Sequence, residues 1–346
     1  MKIETNEYVY DIAINVAQIE ITGRCNMNCI HCRDKGAANN DMPLWAIRKI
    51  IDFAVQNAEN NFVEIVLSGG EPLLHPDFEE ILKYCVQKKV SIEITTNGSM
   101  ITSRYIEMLK KYSITNVSVS LDSAIEEKHD YIRQYRGAFK KAISAINLMV
   151  KNGINARIRA TISKRNIHEL KDLAELAVKL GVHCLAVGPV MPIGNAVNLS
   201  DEFFSTKDEM RSFIQAFYEL KSEYKNRLDV ITNECLHCLW ESETDEVEEN
   251  NILVLNGCTA GIVTFNVLLN GDITPCSMFH LPIANIYKDS NLEEKYVNSE
   301  LIKKLLDREY KGKCGICKKK YECGGCRARA KYFLNDYLEN DPLCWI

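Results

Sequence analysis

Apolar residues along the first half of the chain switch between two rhythms. Short runs rich in β-branched residues read as strands: Ile14–Ile21, Phe62–Leu67, Val90–Thr95, Ile114–Leu121, Asn155–Ile162 and Val182–Val187. Between them, apolar positions recur every three or four residues, predicting helices over Pro43–Asn57, Pro76–Lys88, Thr102–Tyr112, Gly137–Asn152 and Ile167–Leu180. Pro43 sits where a helix tolerates proline, and Gly153 and Gly181 supply stops. Six strands alternating with helices predict a parallel sheet with helices outside it. Six units are too few for the closed eight-fold barrel. In such folds the chemistry gathers at the C-terminal ends of the strands.

Over 200–228 one more amphipathic helix places Met210, Phe213, Ile214, Phe217 and Leu220 on one face. An acidic run from Glu241 to Glu249 then reads as a solvated loop and a boundary. Beyond it, Ile262–Leu269 and Asp272–Thr274 flank Asn270-Gly271, a strong hairpin turn. The expected organisation is a barrel over 1–200, a connecting helix and acidic linker over 201–250, and a small α+β cysteine-rich module over 251–346.

The net charge of −5 over 346 residues argues against a general nucleic-acid binder. No apolar run reaches the length of a membrane span, and the polar N-terminus lacks a signal core, so a cytoplasmic protein is expected. Fourteen cysteines stand out against that expectation, because disulfides are disfavoured in a reducing compartment. Most are spaced like metal ligands; Cys85 and Cys184 stand alone in apolar segments and read as buried thiols.

The first strand runs directly into Gly23-Arg24-Cys25-Asn26-Met27-Asn28-Cys29-Ile30-His31-Cys32. Three thiolates on one loop suit three irons of a [4Fe–4S] cubane and leave the fourth iron open for chemistry. A zinc knuckle would normally offer four ligands in paired form. The Cys-x3-Cys-x2-Cys spacing resembles the cluster motif of the radical S-adenosylmethionine (SAM) enzymes. That resemblance implies a partial (β/α)6 TIM-type barrel. It also implies that Cys25, Cys29 and Cys32 hold the catalytic cluster, whose open iron binds SAM, and that reductive cleavage of SAM gives a 5′-deoxyadenosyl radical. His31 falls where the family places a residue near the adenine.

The second strand ends in Ser68-Gly69-Gly70-Glu71-Pro72, which looks like the family's Gly-Gly-Glu motif for the SAM amino group. By the same resemblance, Asn97, Ser120 and Asp122 at the ends of the third and fourth strands are candidates for the ribose and carboxylate. Asn97-Gly98 also reads as a simple turn. One of Arg133 and Arg136 is expected at the SAM carboxylate, and Arg159 on the fifth strand is a further candidate.

The C-terminal cysteines (Cys258, Cys276, Cys314, Cys317, Cys323, Cys326, Cys344) resemble the SPASM module, which carries two auxiliary [4Fe–4S] clusters. The two residues between Cys323 and Cys326 depart from the three common in that module. The family pattern assigns Cys314, Cys317, Cys323 and Cys344 to the distal cluster and Cys258, Cys276 and Cys326 to the proximal one. For the fourth proximal ligand the candidates are Cys238 or Cys235; an open iron facing substrate, or a separate redox or zinc role for that pair, are the alternatives. Lysines from Lys303 to Lys320 surround these ligands.

The resemblance therefore implies three [4Fe–4S] clusters, SAM and an external one-electron donor of the flavodoxin or ferredoxin kind. The expected substrate is a precursor peptide, modified by a thioether or C–C crosslink or by epimerisation. Too few residues precede the first strand for an added recognition domain, so a separate peptide-recognition protein is a further expected partner. The alternatives are a haem or tetrapyrrole-pathway enzyme, which the Cys326-Arg-Ala-Arg-Ala330 and Asp341-Pro-Leu-Cys344 segments bring to mind, and a sulfatase-type maturase.

Overall fold

Alternating side chains dictate a sheet that is apolar on one face and polar on the other. In the computed structural model, residues 1–33, 39–60, 62–241 and 257–346 are described. Six parallel strands carry the expected alternation: β1 Val16–Thr22, β2 Glu64–Gly69, β3 Ser91–Thr96, β4 Asn116–Ser120, β5 Asn155–Ile162 and β6 Cys184–Pro189. Helices α1 Leu44–Gln56, α2 Phe78–Lys88, α3 Ser103–Lys111, α4 Glu126–Arg133, α5 Ala138–Lys151 and α6 Leu170–Leu180 connect them. On β1, Ala17, Ile19 and Ile21 are fully buried in the core under the helices, each isoleucine worth roughly 2 kcal/mol of transfer free energy. Gln18 and Glu20 alternate with them, and Gln18 lines the barrel's cavity. The same alternation puts Glu93 on β3 and Arg157 and Arg159 on β5 between apolar neighbours. The polar face is therefore the barrel interior.

The sheet is larger than six strands. β7 (Asp229–Thr232) adds beside β6 after helix α7 (Lys207–Glu223), and β8 (Thr264–Val267) adds in parallel on the other side, against β1. Helix α7 is shorter than its 200–228 expectation but buries all five predicted apolar positions. β8 turns through Asn270-Gly271, with Gly271 at φ +87°, into β9 (Asp272–Thr274), which pairs with β10 (Ala284–Asn285). The order is β10-β9-β8-β1-β2-β3-β4-β5-β6-β7, so the cysteine module begins as an extension of the barrel's own sheet. The acidic stretch past Glu241 lies outside the described residues. No helix among the described residues is long and apolar enough to cross a membrane.

Candidate active site

The cluster loop leaves β1 through a register irregularity between Glu20 and Thr22 and is gripped from four sides. Thr22 Oγ1 donates to Asp41 (2.7 Å) and Arg24 pairs with the same carboxylate (2.8 Å). Gly70 N donates to Thr22 O and Glu71 N to Arg24 O, both at 2.7 Å. Two glycines are required there: a Cβ on Gly69 would lie 2.3 Å from Thr22 O, and one on Gly70 2.3 Å from Arg24 O. Asn97 Nδ2 donates to Asn26 Oδ1 (2.9 Å). From beyond β6, Asn195 donates to Cys32 O (2.8 Å, backbone) and Cys29 O (3.0 Å, side chain). Asn195 carried no sequence signal, because its contact depends on a long connection folding back over the loop.

Cys25, Cys29 and Cys32 together line a cavity of about 320 Å³ at the C-terminal ends of the strands. Its wall includes His31, Gly69, Gly70, Asn97, Ser120, Arg133 and Arg159, all predicted from sequence. Ser277 and Met278, immediately after Cys276, close one side. Buried polar atoms without a protein partner mark this region: Thr95 Oγ1, His31 Nδ1, Arg133 Nε and Arg159 Nε. Such groups are costly unless a ligand meets them, so the site fits a polar, zwitterionic molecule such as SAM beside a three-thiolate cluster.

Three predicted contacts fall elsewhere. Glu71 is fully buried and outside the cavity wall; its carboxylate accepts from Thr96 Oγ1 (2.7 Å), Asn97 N (2.8 Å) and Leu73 N (3.3 Å). Burial pushes its pKa up to about 7 against those hydrogen bonds. It is a clamp between β2 and β3, and the motif meets the cavity through Gly69 and Gly70. Asp122 is also fully buried, spent on Arg133 (2.7 Å), His31 (3.3 Å) and Thr161 N (2.9 Å). Burial alone would raise its pKa, but Arg133 and His31 hold it well below the usual carboxylate range. Between the two arginine candidates, Arg136 is exposed and off the cavity. Arg133 lies on the wall and donates to Cys29 Sγ at 3.7 Å. Cys85 and Cys184 are buried away from the cavity, their thiols raised by burial to about 12 and about 11.

In the module, Cys314, Cys317, Cys323 and Cys344 line a second cavity, of about 360 Å³. Cys258 and Cys276 lie in the electrostatic neighbourhood of Cys326. A tetrahedral zinc site needs sulfurs about 3.8 Å apart, from Zn–S bonds of about 2.3 Å. Among the described residues no three cysteine sulfurs lie within 4.8 Å of one another, so no set of three is gathered as tightly as a zinc site would need. Lys313, Lys319 and Lys320 line that second cavity with the cysteines, and the charges buried beside these sulfurs are arginines: Arg308, Arg327 and Arg329 are all essentially inaccessible. Arg327 Nη2 donates to Cys314 Sγ at 3.7 Å.

Residues 19–177 match the model of the radical SAM superfamily. A curated relative, the AdoMet-dependent heme synthase of Methanosarcina barkeri, is 33% identical over 338 residues, covering 94% of each chain. The chain belongs to the radical SAM superfamily. This radical SAM enzyme is also 28% identical to the mycofactocin maturase of Mycobacterium tuberculosis, over 94% of this chain and 81% of that one. Its fold matches Streptococcus suis SuiB bound to precursor peptide SuiA, with a TM-score of 0.78 at 19% identity, covering 96% of this chain and 76% of that one. Membership implies SAM and a [4Fe–4S] cluster, and Cys25, Cys29 and Cys32 on the cavity wall fit both.

Proposed function

We propose that this radical SAM enzyme modifies a precursor peptide, in the cytoplasm, using an external flavodoxin- or ferredoxin-type donor. Cluster and SAM, when bound, supply a 5′-deoxyadenosyl radical able to take hydrogen from a Cα or Cβ. The chain's own residues do the positioning. Arg133, fixed by Asp122, sets Cys29; Gly69, Gly70 and Asn97 hold the loop; Ser120 and Arg159 offer polar contacts. Two auxiliary clusters, on Cys314, Cys317, Cys323 and Cys344 and on Cys258, Cys276 and Cys326, complete the cofactor set. The barrel over 1–200, the linker over 201–250 and the module over 251–346 are then catalytic, connecting and redox units.

The observation that carries the peptide reading is the outer edge of β7. Ile231, Thr232 and Asn233 line the cavity, and among the described residues β7 pairs only with β6. An extended peptide can add to such an edge through its main chain, delivering one residue to the cavity. A separate recognition protein is compatible with that mode. A tetrapyrrole-pathway role is the second reading, motivated by the heme synthase relative. Tetrapyrrole propionates need cationic partners, and the cavity offers Arg33, Arg133 and Arg159, each also facing a carboxylate: Glu20 (2.9 Å), Asp122 (2.7 Å) and Glu93 (3.1 Å). A sulfatase-type target would be a protein using the same edge.

The test is label transfer. Incubation with SAM, reductant and a peptide deuterated at Cα or Cβ, encoded by a short reading frame near the gene, should place deuterium in 5′-deoxyadenosine. Transfer from a propionate-bearing tetrapyrrole and from no peptide would overturn the peptide reading.

A further inference from the structure

Inside the barrel, two arginines share one carboxylate, and the arginine nearer the reaction cavity keeps donors to spare. We infer that Arg159, helped by Thr95, binds a carboxylate of the substrate, so the residue presented in the cavity is acidic or is the C-terminal one. This rests on the reading that the substrate is a peptide, and it names which kind.

On β3, Glu93 is almost wholly buried and accepts from Ser118 Oγ (2.7 Å), Arg157 Nη1 (2.8 Å) and Arg159 Nη2 (3.1 Å). Arg33 and Arg133 each have a carboxylate, Glu20 and Asp122, that no other arginine pairs with among the described residues. Among those residues no second carboxylate pairs with Arg157 or Arg159. Glu64 feels both charges, but it opens β2, at the end of the strands away from the cavity.

The two arginines differ in what is left over. Arg159 is on the cavity wall and Arg157 is not; their side chains are 41% and 21% exposed. Arg159 Nε is buried with no protein partner. Thr95 stands two residues beyond Glu93, so both lie on the same face of β3. It lines the same cavity, and its Oγ1 is also buried and unpartnered. Glu93 reaching Arg159 shows that side chains of β3 and β5 meet across β4 in the barrel interior. Unmet buried donors are costly, the more so when charged. A guanidinium edge beside a hydroxyl matches a planar acceptor with two oxygens, which is a carboxylate.

SAM brings a carboxylate of its own, and one that chelates the open iron belongs beside the cluster. The cation that touches a cluster sulfur is Arg133, 3.7 Å from Cys29 Sγ. Among the described residues the Arg159 guanidinium bonds only to Glu93, deeper in the barrel. Arg159 is therefore left for the second substrate. Ile231 and Thr232 of the β7 edge line the same cavity, so a peptide added to that edge and anchored on β5 would be held from two sides.

The experiment follows deuterium into 5′-deoxyadenosine with the full-length, anaerobically reconstituted enzyme. The probes are the deuterated precursor peptide encoded near the gene, the same peptide with each Asp or Glu changed in turn to Asn or Gln, and the same peptide amidated at its C-terminus. Loss of one carboxylate should lower kcat/KM by about 100-fold, and which loss does so separates side chain from terminus. Arg159→Gln should bring that acid-to-amide ratio to about one, whatever happens to the overall rate. Arg159→Lys keeps the charge without the fork and should retain a ratio of about 10. Thr95→Val should lower the ratio severalfold. These two variants carry the test should Arg159→Gln fail to fold. Equal kcat/KM for all acid and amide peptides, or a ratio unchanged in the Arg159 and Thr95 variants, would overturn the assignment and leave the peptide reading standing. Transfer from a propionate-bearing tetrapyrrole and from none of the peptides would overturn the peptide reading beneath it.

Discussion

Replacing Gly70 by alanine adds one methyl group, and the structure fixes where it goes. The new Cβ would lie 2.3 Å from Arg24 O, 2.7 Å from Arg24 C and 3.0 Å from Cys25 Cβ. The first two are backbone atoms, so no side chain can swing aside. Ordinary contact distances require Arg24 to retreat by about 1 Å. Overpacking of this kind costs about 1–3 kcal/mol. The retreat also breaks the Glu71 N–Arg24 O bond and strains the Gly70 N–Thr22 O bond, worth about 1 kcal/mol each. The sum, about 3–5 kcal/mol, is a large part of a domain's usual stability. Cys25 moves with Arg24, and a misplacement of about 1 Å at reacting groups can cost on the order of 100-fold in rate. Anaerobic urea unfolding, iron content and the rate of 5′-deoxyadenosine formation would all register the change. Gly137→Ala is the control: Gly137 has φ +86° but no atom within 4 Å of a new Cβ, so only backbone strain of about 1 kcal/mol is expected. If Gly70→Ala kept wild-type SAM cleavage and unfolded no earlier than Gly137→Ala, the argument that this glycine seats the cluster loop would be wrong.

Cys29→Ala should abolish SAM cleavage, whereas Cys317→Ala should retain some cleavage and lose productive turnover; equal loss in both would make the module a folding element only. Arg329 is buried between Glu234 (2.8 Å) and Asp341 (2.6 Å), so Arg329→Met strands both as buried charges and should cost about 3–5 kcal/mol in urea unfolding; a loss below about 1 kcal/mol would mean these ion pairs are relaxed in solution. His129 and Glu71 predict opposing pH effects. Burial pushes His129 down to about 4 from 6.5, so its stability is full above pH 6.5 and lost as pH falls towards 4. Burial pushes Glu71 up to about 7 from 4.5, so its stability is full below pH 4.5 and lost as pH rises towards 7. Each amounts to about 3 kcal/mol and they oppose between roughly pH 4.5 and 6.5, so His129→Gln should lose stability as pH rises across that window where wild type stays nearly level; a level profile in the variant would contradict this.

The six βα units were legible because a strand repeats every second residue and a helix every third or fourth, and most ends fell within two residues. The Cys25, Cys29 and Cys32 loop was legible because its information is local spacing. Elements with weak periodicity were missed. Asp229–Thr232 offers four residues with polar ends, and Glu126–Arg133 is a charged helix whose buried members include His129 and Arg133. Side-chain destinations were harder still. Glu71 and Asp122 sit in the right motifs, yet each is consumed by partners from distant strands. Cys235 and Cys238 differ by three positions, and only the Glu234–Arg329–Asp341 contact across the fold decides which of them meets Cys326.

The pairing of β8 with β1 has a consequence for biogenesis. One flank of the first strand finds its neighbour only when residues 264–267 have left the ribosome. Until then the nascent chain presents an unprotected row of amides and carbonyls, the usual template for self-association. A chain stopped short of that late strand should therefore precipitate during expression, though Cys25, Cys29 and Cys32 and most of the cavity wall around them have already been made.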